Sequence, residues 1–148
     1  MSALSRVIDH CVWANGQWIT FLGDVFPEDE FGLLRMSHIL LGERAWFQRI
    51  TGKEPGREIW RRLTIPQLHE LHAKHKAVYS ELLAGNLDRV IAYKRFTGEE
   101  YQSPISDILL HLTLHGAHHR GQIGTYVSKA GKPPINTDFI QYCLLHGI

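Results

Sequence analysis

Hydrophobic and polar positions repeat with helical spacing in four long stretches of the chain. Leu4, Ile8, Cys11, Asn15, Trp18 and Leu22 recur every three or four residues, which places them on one face of a helix over 3–23. Pro27 with Glu28, Asp29 and Glu30 closes that segment and puts negative charge at the start of a second helix over 30–50. There Leu34, His38, Leu41, Ala45 and Trp46 lie close to one stripe. Thr64 with Gln67 predicts a capping box. The helix it opens carries Leu68, Leu71, His72, His75, Val78, Tyr79 and Leu82, and stops at Gly85 and Asn86. Ser103 before Pro104 predicts a cap residue followed by proline at the first helical position. That fourth helix reaches about Ala130, where Gly131, Pro133 and Pro134 end it. Thr137 predicts the cap of a short last helix from Phe139 to Leu145. Residues 51–63 hold two Gly, one Pro and mixed charge and read as a loop, while 90–96 reads either as a short strand or as an extended crossover. The expected fold is all-α, in a single domain over residues 1–148. It is a four-helix bundle with a long crossover connection and a short C-terminal helix.

Composition narrows the function. The chain has 148 residues, 44% hydrophobic and 21% charged, enough to bury a core without a disulfide or a metal. The net charge of +1 gives no basic face for a nucleic-acid backbone, and no apolar run approaches the length of a membrane span. Cys11 and Cys143 form no disulfide framework, and the N-terminal stretch lacks the apolar core of a secretory signal. The expected setting is the cytoplasm, with no nucleic-acid and no membrane partner.

Ten histidines stand out against that ordinary background. Residues 111–122 read HLTLHGAHHRGQ. His111, His115 and His119 are spaced four apart, and each lies about 40° around the helix from the last. A polar imidazole on an inward stripe needs a partner. His115 and His119 share a face, as in two-histidine metal sites. His38, flanked by Leu34, Leu41 and Ala45, supplies the third candidate from the second helix. Three neutral imidazoles suit Zn, Ni, Cu or Fe(II). His69, His72 and His75 form a rival cluster, but spacings of three and six drift around the helix, so at most two point inward together. His72 or His75 could still line the cavity. His118 is turned about 100° from His119, which suits a surface or supporting role. Gln122 returns to the inner face and is placed to orient a ligand. Gly121 and Gly124, each costing about 1 kcal/mol mid-helix, suggest close approach of another helix. Cys11 reads as a small buried hydrophobe.

The segment HGAHHRGQI from His115, entered through Ser103 and Pro104, resembles the signature of the DinB family, the damage-inducible DinB/YfiT-like metalloproteins. VWAN from Val12 with Trp18, MSHILLGE from Met36 with Trp46, and GKPP from Gly131 with TDF from Thr137 resemble that family in the same order. The resemblance implies a four-helix bundle, often a homodimer, and a divalent metal on His38, His115 and His119. Zn and Ni are the commonest ions implied; Fe, Mn or Co are compatible. It also implies a metal-dependent enzyme of the thiol S-transferase or hydrolase type, acting on a small molecule, with a low-molecular-weight thiol as one candidate partner. The alternatives are a non-catalytic metal- or small-ligand-binding bundle and a structural bundle whose histidines are satisfied by hydrogen bonds. No catalytic base is assigned from the sequence.

Overall fold

The computed structural model describes residues 1–148. Five helices account for most of the chain: α1 (Ala3–Val25), α2 (Glu30–Ile50), α3 (Ile65–Leu83), α4 (Ile105–Lys129) and α5 (Phe139–His146). A two-stranded antiparallel sheet, β1 (Val90–Lys94) and β2 (Glu100–Pro104), lies between α3 and α4, with Ala92 opposite Gln102. No helix is long and apolar enough to cross a membrane.

Two apolar clusters fill the core. One gathers Trp18, Ile19, Leu22, Leu33, Met36, Leu40, Leu68, Ile123 and Val127; the other gathers Ile8, Phe47, Tyr79, Ile105, Ile108 and Leu112. The membership fixes the directions. The early part of α1 meets the late parts of α2 and α3 and the early part of α4. Thus α1 and α4 run one way and α2 and α3 the other. The α4 helix packs on α1 and α2, and α3 packs on the same two.

This order decides which segment is the crossover, and of the two readings of residues 90–96 the short strand holds. The α2 and α3 helices are parallel, so the link between them must return along the length of a helix. Residues 51–64 do this. A helix the length of α2 spans about 31 Å, within the reach of fourteen extended residues. Residues 84–104 instead turn back at one end as a hairpin. Gly98 sits in the tight turn between the strands at φ +95°, a conformation that favours glycine.

The predicted helix starts hold in part. Thr64 and Gln67 form the full capping box. At α4, β2 runs on through Pro104, so Ser103 is a strand residue whose Oγ pairs with the Tyr93 hydroxyl at 3.1 Å. The first N–H groups of α4 go instead to the carbonyls of Arg89 and Leu87, which the hairpin brings beneath them. Asp138, not Thr137, occupies the N-cap of α5, and the Thr137 hydroxyl accepts a bond from Trp18 Nε1 at 3.1 Å.

Candidate metal centre

The crossover is what builds the site. It passes over the outer face of α2 where α2 meets α4, and places Ile59 and Trp60 against His38. The His38 Nδ1–H donates to the Ile59 carbonyl at 2.9 Å. The Trp60 ring lies flat on the imidazole, 3.6 Å between centroids and 8° between planes. From α4, His119 donates its Nδ1–H to Gln122 Oε1 at 2.8 Å. That oxygen also accepts from Arg35 Nε at 3.3 Å, while the Gln122 amide nitrogen donates to His118 Nε2 at 3.3 Å. The Arg35 guanidinium carbon lies over the Phe31 ring, 3.4 Å from its centroid.

These bonds decide the tautomers. A carbonyl oxygen can only accept, so His38 and His119 each carry a proton on Nδ1 and a bare lone pair on Nε2. His115 completes the group: its Nε2 lies 3.0 Å from His38 Nε2. One ligating atom from each of His38, His115 and His119 falls within 4.8 Å of the other two. Tetrahedral coordination at about 2.0–2.1 Å sets neighbouring nitrogens about 3.3–3.4 Å apart. The donor set and its spacing therefore fit a divalent ion, with three protein ligands and at least one position open.

The remaining histidines fall elsewhere. His111 is exposed and meets the Trp46 ring edge-on, outside the group of three although it lies on the same stripe. His69 is exposed on α3. His75 points away from the metal centre, into a buried polar layer between the two apolar clusters. There its Nδ1–H donates to Glu43 Oε2 at 2.7 Å, and Asn15 Nδ2 donates to Glu43 Oε1 at 2.9 Å. Arg120 Nη1 donates to Asn15 Oδ1 at 2.6 Å. His72 packs against Gly16 of α1 near the same layer. Cys11 is fully buried beside Arg120, and burial pushes its thiol up to about 11, as an inert core residue requires.

Sequence reasoning did not find Ile59, Trp60, Arg35 or the layer around Glu43. Arg35 stands three residues before His38 and carried a usable signal, a shared helix face. Ile59 and Trp60 carried none, because only the path of the crossover brings them there.

Burial lowers the pKa of His10, His38, His72 and His119, and takes His115 down to about 3. The folded chain thus holds these rings neutral where the unfolded chain, near pKa about 6.5, would protonate them. The unfolded state binds more protons, so their contribution to stability is complete above pH about 6.5 and shrinks as pH falls below it. The urea midpoint of the metal-free protein is expected to drop steadily from pH about 7 to pH about 5. A midpoint that stays level over that range would show these rings to be solvated.

A helical protein with three convergent histidines that could hold a metal ion is the class that fold and site define together. A family model described as DinB family matches residues 33–145, and the chain belongs to the DinB family. No curated protein matches it.

Proposed function

We propose that this chain is a divalent-metal protein in which His38, His115 and His119 hold the ion and a small-molecule substrate reaches its open side. The four long helices are read here as the four-helix bundle of the family, the crossover serving as one wall of the site. The observation that carries the reading is the pair of Nδ1 hydrogen bonds, to Ile59 and to Gln122, which leave a bare Nε2 on His38 and on His119 within a group of three histidines whose ligating atoms lie within 4.8 Å of one another.

A bound divalent ion acts as a Lewis acid, lowering the pKa of a water or thiol ligand and polarising a substrate group. The chain's own residues do the rest. Ile59 and Gln122 hold two imidazoles in the ligating tautomer, and burial keeps all three neutral. Trp60, 51% exposed while stacked on His38, offers an apolar platform beside the open side. Arg35 brings a fixed positive charge near His119 through their shared contact with Gln122. The reaction read from this is transfer to or from a low-molecular-weight thiol, or hydrolysis. Zn and Ni are the first choices of ion. A homodimer belongs to the same reading, supported by the exposed Ile140, Leu144 and Leu145 of α5. Sedimentation velocity at micromolar protein tests it.

The experiment is elemental analysis of the purified protein, followed by a screen of the metal-loaded form with low-molecular-weight thiols and electrophiles. About one ion per chain with metal-dependent thiol consumption supports the enzyme. A stoichiometric ion without turnover favours a binding module. Protein that takes up no divalent ion at all refutes the metal reading.

A further inference from the structure

A groove opens beside α4, lined by none of the three histidines of the candidate metal centre. Gly121 and Gly124 open it. The expected approach of another helix holds at Gly124, where a Cβ would meet the Trp18 ring of α1 at 3.7 Å and Pro134 at 4.0 Å, but not at Gly121, where it would meet nothing within 4 Å. The space beside them is a groove of about 580 Å³ between α1 and α4, walled by residues 134–139. Pockets of that size accept small organic ligands. The wall is pinned: His10 Nε2–H donates to the Thr137 carbonyl at 2.7 Å, and Trp18 Nε1–H to the Thr137 hydroxyl at 3.1 Å.

Arg120 forms part of the groove lining and is only 4% exposed. No carboxylate contacts its guanidinium. Nη1 is engaged inward, with Asn15 Oδ1 at 2.6 Å and Cys11 Sγ at 3.7 Å, both neutral partners. Glu43 balances the charge only at one remove, through Asn15. The Nε and Nη2 donors bond to nothing in the chain and are not sealed from the groove. A planar fork with unused donors in a low-dielectric wall matches an oxyanion, which it can grip through two parallel bonds. The other ionisable groups facing the groove are His10, which burial holds neutral, and the exposed Asp138 at the rim.

We propose that this groove is a ligand site in which Arg120 binds the oxyanion of a small carboxylate or phosphate, with the ligand's apolar body against Trp18, Ile135 and Phe139. It is independent of the metal centre.

The test is calorimetric titration with benzoate and with inorganic phosphate at fixed ionic strength, on the full chain and on Gly121→Leu and Arg120→Lys. Gly121→Leu fills the groove, meets no clash at Cβ and improves helix propensity, so it should melt no lower than the parent. The expected result is saturable binding of one anion per chain, weakened about tenfold or more by Gly121→Leu and by Arg120→Lys, with metal content unchanged. Tighter benzoate assigns a carboxylate ligand, and tighter phosphate a phosphate one. No saturable binding of either probe overturns the proposal, as does equal binding by Gly121→Leu. So does a dimer that Gly121→Leu converts to monomer in sedimentation, since a second copy would then fill the groove.

Discussion

Changing His119 to alanine will weaken binding of a divalent ion by more than about a hundredfold. Losing a group that merely orients a metal ligand costs 10- to 100-fold, and here a ligand itself is lost. His119 contributes a lone pair whose direction Gln122 fixes, so neither water nor its neighbour His118, turned away on the exposed face, replaces it. His38→Ala and His115→Ala should behave alike, while His69→Ala, on an exposed face of α3, should leave metal content unaltered. Competition with a chromophoric chelator measures all four. Equal metal content in parent and His119→Ala would remove the histidine cluster from consideration. Stripping the ion at neutral pH should leave the far-UV circular dichroism unchanged, because both apolar clusters close without any contribution from the three histidines.

Glu43→Ala is expected to destabilise the fold by about 3–5 kcal/mol, a large part of the 5–15 kcal/mol typical of a domain. Glu43 is 1% exposed and accepts from both Asn15 and His75. Removing it takes away the nearest balancing charge of Arg120, which it reaches through Asn15, and orphans two donors, Asn15 Nδ2 and His75 Nδ1–H. The burial of Tyr79, which with the Glu43 charge holds its phenol well above the ordinary range, shows how little water reaches this layer. Urea denaturation of the parent and Glu43→Ala, both metal-free, gives the difference. A loss below about 1 kcal/mol would mean that water enters the layer and solvates Arg120.

The sequence alone determined the helices and nominated the three histidines that the fold brings together. Helical periodicity is local: burial of one face requires apolar residues every three or four positions, whatever the rest of the chain does. The i, i+4 spacing of His115 and His119 fixes a common face in the same way, and the apolar neighbours of His38 show that it too turns inward. Helix starts were less legible. Ser103 and Pro104 carry the letters of a cap, yet the strand pairing of β1 with β2 claims them, and carbonyls from Leu87 and Arg89 satisfy the α4 N–H groups instead.

What only the tertiary structure decided depends on residues far apart in the chain. The parallel run of α2 and α3 forces residues 51–64 back along the helices, and that path carries the Ile59 carbonyl and the Trp60 ring onto His38. Glu43, Asn15, His75 and Arg120 come from four different helices, and no spacing within any one of them announces that they share a buried layer. Gly121 faces open space rather than a neighbouring helix for the same reason: a missing side chain leaves room, but the packing of other elements decides whether that room is filled.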